Sequence, residues 1–225
     1  MNWYEYKFHA SSIGDIMTDP RSGPGLSETC KKHLLICWIK GTYDREKDIE
    51  NKYMRKGTLV EEDSLTLYSR AKKTPFFKND KVLENDFIIG TPDIITDEII
   101  DIKSSWDIFT FYNVMFAPMN KSYLYQLQSY MVLTGITLAK LVYCLVNTPE
   151  FMVDEQKYYL AKRMGSVSGE DELYLEAAAK LEKNMIYDDI PLEKRYIEFT
   201  IPFAPALMEK VQERIIECRE FLSKL

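Results

Sequence analysis

The spacing of apolar residues predicts that helices open the chain and that short strands follow them. Two helices are expected within residues 7–45, and one long helix is expected over residues 44–70. The apolar side chains of the long helix recur at helical spacing, although Gly57 interrupts it. An interior glycine of this kind usually allows the close approach of another backbone or of a ligand. Residues 87–103 then contain three short runs that are typical of strands.

The second half of the chain predicts helices around two further strands. Residues 121–134 carry an apolar stripe at three- and four-residue spacing, and Gly135 is expected to end this helix. The mostly apolar residues 139–146 predict a strand that is buried on both faces. Residues 195–203 alternate as a strand does, and residues 205–225 form an amphipathic helix. This order predicts an α/β fold with a central mixed β-sheet flanked by helices.

One segment, residues 150–193, differs in composition from the rest of the chain. It carries many charges and few β-branched residues, and it predicts two helices near residues 151–163 and 171–185. The glycine- and serine-rich residues 165–169 are expected to join them. We interpret the segment as a peripheral helical insertion in a single domain that spans residues 1–225.

Composition and charge limit the classes of protein to which the chain can belong. A chain of 225 residues with 46% hydrophobic residues suits one domain with a substantial core. Its net charge of −6 argues against a protein that coats polyanions in general, although a nuclease needs only a local basic groove. The sequence shows no membrane-spanning run and no signal-peptide pattern, so we expect a cytoplasmic protein without a membrane partner.

The cysteines argue against a metal–thiolate centre. No two of the four cysteines form a C-x-x-C pair, so a zinc ribbon or an iron–sulfur cluster is not expected. We expect all four to be ordinary buried thiols, which is consistent with a reducing compartment. They are Cys30, Cys37, Cys144 and Cys218.

Residues 90–103 place ionisable side chains where a sheet normally places apolar ones. Because alternate residues of a strand share a face, Asp101 and Lys103 project together. If the chain folds back near residues 96–98, Asp93 lies opposite Asp101, with Cβ atoms about 5 Å apart. Two carboxylates this close repel each other unless a cation lies between them. The stretch therefore predicts a divalent-metal site with an ammonium group beside it.

The ligands of the predicted metal site come from this hairpin and from the helix before it. A hard divalent cation prefers oxygen ligands, which Asp93, Asp101 and the backbone carbonyl near Ile102 supply. Glu61 would complete a second metal position. A lysine such as Lys103 can orient or deprotonate a water there, and bound metal neutralises charge on a phosphorane-like transition state. This combination suits the hydrolysis of a phosphodiester.

A second stripe on the predicted helix 121–134 adds polar groups, namely Tyr123, Gln126 and Tyr130. Gln126 and Tyr130 are placed to orient the lysine or a phosphate, and we assign Tyr123 to substrate binding. Arg55 is also assigned to substrate binding, although an exposed helix charge is the commoner explanation for it. An Asp-x-Lys pattern alone occurs by chance in many exposed strands, but its combination with Pro-Asp and Gln-x-x-x-Tyr favours a nuclease.

These motifs resemble those of a known group of nucleases. Three motifs resemble those of the PD-(D/E)XK nuclease superfamily: Pro92-Asp93, Asp101-Ile102-Lys103 and Gln126-x-x-x-Tyr130. The last of these resembles the RecB-like branch of the superfamily in particular. The motif has Asp101 where many members have Glu, which the pattern allows. The sequence lacks the cluster-binding cysteines of some RecB-like nucleases, and this favours an enzyme without an iron–sulfur cluster.

Two further motifs narrow the resemblance to one type of enzyme. The pattern Arg-Lys-Gly-x-x-x-Glu, which ends at Glu61, resembles an upstream motif of the RecB-like branch. Glutamate rather than histidine at its end is similar to the YqaJ and lambda-exonuclease type of viral recombinase. Residues 9–12 resemble a short element that lies close to the DNA end in those exonucleases, so Ser12 is assigned to substrate binding. The resemblance covers roughly residues 8–147 and the closing strand and helix, whereas residues 150–193 match no motif.

The resemblance implies a fold, an activity and a set of roles. The fold would be a restriction-endonuclease-like α/β core, and the activity would be DNA cleavage with Mg²⁺ or Mn²⁺. The implied roles are those of metal ligands at Asp93, Asp101 and Glu61, the catalytic lysine at Lys103, and supporting helix residues at Gln126 and Tyr130.

Viral members of this type resect duplex DNA ends from 5′ to 3′ and often act with a single-strand annealing protein. We therefore expect a DNA exonuclease of phage-type recombination or end resection, in the cytoplasm of a bacterium or of a virus-infected cell. The resemblance also allows a homo-oligomer, such as a ring. Two alternatives stay open: a structure-specific or single-strand endonuclease of the same superfamily, and a non-catalytic DNA-binding subunit.

Overall fold

The computed structural model describes residues 1–47, 51–166 and 171–225. Within them the helices are α1 (Ile13–Ile16), α2 (Glu28–Tyr43), α3 (Lys52–Leu59), α4 (Glu61–Lys72), α5 (Ile108–Asn113), α6 (Lys121–Thr134), α7 (Glu150–Met164), α8 (Glu172–Lys183) and α9 (Pro205–Leu222). The strands are β1 (Phe8–His9), β2 (Leu83–Glu84), β3 (Ile88–Gly90), β4 (Ile94–Ile95), β5 (Ile99–Ser104), β6 (Leu138–Cys144) and β7 (Tyr196–Pro202).

The strands form two mixed sheets. The larger sheet has the order β4-β5-β6-β7, in which β5 and β6 are parallel and the two outer pairs are antiparallel. The smaller sheet has the order β1-β3-β2, with β1 parallel to β3. The predicted α/β architecture with a mixed sheet is confirmed. The smaller sheet was not predicted, because strands of two residues are too short to show an alternating pattern.

Helices cover both faces of the larger sheet. On one face, Ile99 of β5 packs in a core cluster with Leu127 of α6 and Val211 of α9. On the other face, Ile100 of β5 packs in a second cluster with Leu67 of α4. Because neighbouring strand residues point to opposite faces, β5 contributes to both clusters. This central strand is also the one that carries the candidate catalytic residues.

The helix α6 has the bounds that the sequence predicts. It begins where the side chain of Asn120 accepts a hydrogen bond from the Ser122 backbone N–H at 2.8 Å. It ends at Gly135, whose φ of 75° lies in the left-handed region that favours glycine. Leu127 and Met131 of the predicted apolar stripe are buried. Periodicity and both end signals agree here, so this part of the prediction is confirmed.

The single long helix predicted over residues 44–70 is wrong. Asp44 has a left-handed φ of 52° and ends α2. Asn51 then starts α3, because its side chain accepts two hydrogen bonds from backbone N–H groups of the first turn. Val60 leaves the helical conformation between α3 and α4. Residues 48–50 of this prediction lie outside the described residues.

The segment 150–193 contains the two predicted helices, α7 and α8. They contact each other, and Lys157 forms an ion pair with Glu182 at 2.7 Å across them. After α8, the buried Tyr187 packs in a third cluster beneath α5. Residues 167–169 of the predicted linker lie outside the described residues. The interpretation of the segment as an insertion in a single domain stays a prediction.

Two expectations from composition can be compared with the fold. Cys30, Cys144 and Cys218 are buried free thiols as expected, whereas Cys37 is only half-buried. The sulfur atoms of Cys30 and Cys218 lie 3.7 Å apart in the core. Among the described residues, no helix combines the length and the apolar character that crossing a membrane requires.

The close contact between α1 and α6 predicts that Gly14 cannot be replaced without a loss of stability. A Cβ atom on Gly14 would lie 2.6 Å from the Cα of Ser122. We expect Gly14→Ala to lower the free energy of unfolding by about 1–3 kcal/mol, because the helices would have to move apart. Urea denaturation of the purified variant measures this change.

Gly57→Ala is the matched control, because a Cβ atom there would meet nothing within 4 Å. We expect this variant to gain about 1 kcal/mol from the higher helix propensity of alanine. Equal losses for the two variants would contradict the packing described for α1 and α6.

Candidate active site

The hairpin of β4 and β5 brings Asp93 and Asp101 together as predicted. Ile94 pairs with Ile100, so Asp93 and Asp101 come next in register on the two chains. Asp93 lies just before β4, and its Oδ2 atom accepts a hydrogen bond from the backbone N–H of Ile102 at 2.9 Å. This hydrogen bond fixes the Asp93 carboxylate at the edge of the central strand, beside Asp101.

The Asp101 carboxylate is fully buried and is paired with one cation. Its Oδ2 atom lies 2.7 Å from the Nζ atom of Lys103, whose side chain is 23% exposed. The contact is a close ion pair, but its angles do not align a hydrogen bond. Among the described residues, no donor makes a hydrogen bond to either Asp101 oxygen. A buried carboxylate with unsatisfied oxygens is suited to binding a cation.

The side chains at this position carry more negative than positive charge. Burial raises the pKa of Asp93 to about 7, and the charge of Asp101 adds to the effect, whereas Lys103 opposes it. Burial also raises the pKa of Asp101. Burial disfavours the charge on Lys103, but the two carboxylates outweigh burial and raise the pKa of Lys103 above its ordinary value. Two buried carboxylates with a single ammonium leave room for a further cation, and the residues therefore fit a hard divalent metal.

Glu61 lies near this pair but is engaged elsewhere. It is the first residue of α4, and its Oε1 atom forms an ion pair with Lys78 at 3.0 Å. Its charge contributes to the raised pKa of Asp93. Within residues 1–47, 51–166 and 171–225, no three carboxylate, histidine or cysteine side chains converge on one point that could hold a metal. The role of Glu61 as an additional ligand therefore stays a prediction.

The Gln-x-x-x-Tyr motif forms a buried pair on α6. The side-chain amide of Gln126 donates a hydrogen bond to the hydroxyl of Tyr130 at 2.9 Å. Tyr130 packs against Gly90, where a Cβ atom would lie 2.8 Å from the ring. Burial raises the pKa of Tyr130 to about 12. Tyr130 is 4% exposed, and its hydrogen bond positions the side-chain amide of Gln126.

Asp93 and Lys103 line a wider cleft between α3, β5 and α6, whereas Asp101 is buried beside them. Tyr123 is in this cleft, and its ring centroid lies 5.1 Å from the Nζ atom of Lys103. The cleft residues are Ser11, Tyr53, Met54, Gly57, Thr58, Glu61, Asp93, Ile102, Lys103, Ser104, Ser122, Tyr123 and Gln126. Gly57 therefore faces a cavity that a ligand can enter, rather than another backbone.

Two of the predicted substrate-binding residues lie away from this cleft. The hydroxyl of Ser12 donates a hydrogen bond to the carbonyl of His9 at 2.9 Å, and Ser11 is the residue that lines the cleft. Arg55 points towards α7, where it forms an ion pair with Glu155 at 3.3 Å. The sequence does not show which of two neighbouring serines in a short irregular turn faces the cleft. It also does not show that a distant helix, α7, determines where Arg55 points.

Sequence reasoning also missed a buried lysine. Lys56 of α3 is 1% exposed, and its ammonium donates a hydrogen bond to the carbonyl of Trp106 at 2.8 Å. Burial lowers the pKa of Lys56 to about 8, against the influence of Asp107. The position of Lys56 directly before Gly57 in the upstream motif was the one available signal.

Comparison with known proteins gives likenesses in structure. No protein-family model matches this chain, and no curated protein is found to be similar to it in sequence. It is similar to the crystal structure of a phage-related exonuclease from Haemophilus somnus 129PT, with a TM-score of 0.74 and 24% identity. That likeness covers 99% of this chain and 96% of the other.

A second solved structure, an alkaline exonuclease (LHK-Exo) from Laribacter hongkongensis, has a TM-score of 0.65 at 14% identity, over 99% of this chain and 92% of that one. The same exonuclease in complex with dAMP has a TM-score of 0.64 at 16% identity, over 97% of this chain and 88% of that one. The chain therefore has the α/β fold of these exonucleases, which is consistent with the PD-(D/E)XK, lambda-exonuclease-like fold that its motifs predict.

Proposed function

We propose that this protein is a metal-dependent DNA exonuclease that hydrolyses phosphodiester bonds at the ends of duplex DNA. The observation that carries the proposal is that Asp93 and Lys103 line an open cleft, with the buried carboxylate of Asp101 paired to Lys103 beside them. The likeness in fold to a phage-related exonuclease and an alkaline exonuclease supports the choice of substrate and of exonuclease over other hydrolases. The proposed 5′ to 3′ direction and the role in recombination or end resection rest on the resemblance in motifs.

The metal that we propose is Mg²⁺ or Mn²⁺, held by Asp93, Asp101, the Ile102 carbonyl and Glu61. When bound, it lowers the pKa of a water molecule and neutralises charge on the phosphate. For Glu61 to take part, its carboxylate has to be redirected from Lys78, with which it forms a half-exposed ion pair. Such a pair contributes little to stability, so its loss costs little.

Lys103 has the clearest role among the side chains of the protein. Its ammonium is held by Asp101 and is directed over the ring of Tyr123 at the cleft. In the metal-free protein, the carboxylates of Asp101 and Asp93 raise the pKa of Lys103 above its ordinary value. It therefore donates hydrogen bonds to the attacking water or to the scissile phosphate and stabilises the charge that develops there. The amide of Gln126, fixed by Tyr130, lies in the same cleft and orients these groups.

The partners that we propose are duplex DNA ends, a second copy of the chain and a single-strand annealing protein. DNA follows from the cleft and from the fold. The complex of LHK-Exo with dAMP is a complex of that protein, and it supports a nucleotide as the ligand of the corresponding cleft here. The homo-oligomer and the annealing protein rest on the resemblance in motifs.

The distinction between exonuclease and endonuclease predicts a difference between linear and circular DNA. With Mg²⁺ present, we expect linear duplex to be degraded and covalently closed circles to stay intact, because the reaction starts at an end. Duplexes labelled at the 5′ or at the 3′ terminus, resolved on denaturing gels over time, give the direction. Cleavage of closed circles would favour an endonuclease of the same fold.

The role of Lys103 predicts that Lys103→Ala abolishes cleavage and retains DNA binding. We expect a fall in cleavage rate of at least about 100-fold, because a charged donor to the developing negative charge is lost. Gel-based cleavage and fluorescence anisotropy with end-bearing duplex measure the two properties separately. Lys180→Ala, which removes an exposed lysine of α8, is the control and should cleave normally. Cleavage by Lys103→Ala at the wild-type rate would refute the site. A wild-type protein that binds DNA without cleaving it would instead favour the alternative of a non-catalytic subunit.

The proposed role of Glu61 predicts a change in metal dependence. We expect Glu61→Gln to raise the Mg²⁺ concentration for half-maximal cleavage by about tenfold, since one charged oxygen ligand is replaced by a neutral one. Titration of cleavage rate against Mg²⁺ measures the effect. Glu62→Gln is the matched control, because Glu62 is the next residue of α4 and is exposed. Equal metal dependence in the two variants would place Glu61 outside the metal site.

A further inference from the structure

An exposed tyrosine that lines the cleft packs against a half-buried tryptophan, and a lysine lies beside both rings. Tyr53 of α3 is 57% exposed, and its ring packs edge-on against Trp106, with ring centroids 4.9 Å apart and an interplanar angle of 74°. The ammonium of Lys52 lies 5.3 Å from the ring centroid of Tyr53 and 5.0 Å from that of Trp106. We refer to Lys52, Tyr53 and Trp106 as the aromatic platform.

The buried Lys56 contacts the Trp106 residue of the platform. Its ammonium donates a hydrogen bond to the carbonyl of Trp106 at 2.8 Å and lies 5.8 Å from the centroid of the Trp106 ring. Burying a lysine costs free energy, which its hydrogen bond and ring contacts offset only in part. Trp106 therefore contacts Lys52 at its ring and Lys56 at both its ring and its carbonyl.

The platform shares its cavity with the candidate catalytic groups. Tyr53 lines the same cleft as Asp93 and Lys103. A DNA strand with a phosphodiester at Asp93 and Lys103 has to continue along this cleft, and its neighbouring bases then pass the exposed ring of Tyr53. Aromatic rings beside cationic side chains are the usual means by which proteins bind unpaired bases without sequence preference.

Tyr158, an exposed aromatic residue of α7, lacks this combination. Tyr158 of α7 is 64% exposed and packs edge-on against Tyr159 at 5.6 Å, as Tyr53 packs against Trp106. It is not among the residues that line the cleft. Proximity to the carboxylate pair and to Lys52 therefore distinguishes Tyr53 from a tyrosine that is merely exposed, and it gives the chain its own internal control.

We infer that the aromatic platform binds one unpaired nucleobase of the strand that is being cut, by stacking of the base on Tyr53. The inference rests on the proposed function, and it adds a subsite that holds the substrate next to the scissile phosphodiester. Because every base has a π-face, the platform contributes affinity without selecting a sequence. Lys52 contributes by attracting the adjacent phosphate, whereas Lys56 is a positioning residue for Trp106.

The inference predicts that Tyr53 and one particular base of the DNA depend on each other. The probe is a set of labelled duplexes with short single-stranded overhangs, each lacking one base, in Ca²⁺ instead of Mg²⁺ to limit cleavage. We expect wild-type protein to bind one of these abasic probes about tenfold more weakly than intact DNA. Tyr53→Ala should bind intact DNA about tenfold more weakly and lose the dependence on that base, because the two losses concern one contact.

Matched variants separate stacking from other effects of the substitution. Tyr53→Phe keeps the ring and should bind as the wild-type protein does, and Tyr158→Ala should leave binding unchanged. Equal thermal unfolding of Tyr53→Ala and the wild-type protein shows that α3 is intact. If Tyr53→Ala binds DNA with wild-type affinity, or still depends on that base, the inference about the platform is overturned. The proposed function still stands in that case if the wild-type protein cleaves DNA. A wild-type protein that neither binds nor cuts DNA would overturn both.

Discussion

The buried ion pair of Asp101 and Lys103 is the interaction on which the arrangement of the site depends. An ionised carboxylate in the middle strand of a sheet is costly, and one ammonium at 2.7 Å does not satisfy its oxygens. Strand alternation places both side chains on the α6 face of β5. The surrounding elements place Asp93, Gln126 and Tyr123 beside this ion pair. Polar side chains thus gather at a position that is normally apolar in a protein core. The buried charges therefore destabilise the sheet locally, at the position where a cation can bind.

The sequence predicts those parts of the structure in which local signals agree. Helix α6 has periodicity, a cap residue and a terminal glycine, and its bounds are as predicted. The hairpin is predicted because two isoleucine runs flank a polar turn, and register then follows from turn length. Asp93, Asp101 and Lys103 were found because charge interrupts apolar strands. These signals span only a few residues and require no knowledge of distant contacts.

The remainder depends on contacts between distant segments, which a single sequence does not reveal. Lys56 and Arg55 are adjacent basic residues on one helix, yet one is buried under Trp106 and the other reaches Glu155. Their difference is set by where α5 and α7 lie, not by the helix itself. The smaller sheet joins β1 to β3 across about eighty residues of chain, so their pairing is not recognisable in the sequence. Ser11 rather than Ser12 faces the cleft for the same reason.

The contact of Arg55 with α7 has a mechanical consequence. Arg55 meets both Glu155 and the ring of Phe151, at 3.3 Å and 5.2 Å, while Tyr53 on the same short helix forms one side of the cleft. Helix α3 is only eight residues long, so the residue that contacts α7 and the residue that lines the cleft lie within one turn of each other. A change in the position of α7 therefore acts on the cleft side of α3 through one half-exposed ion pair and one ring contact.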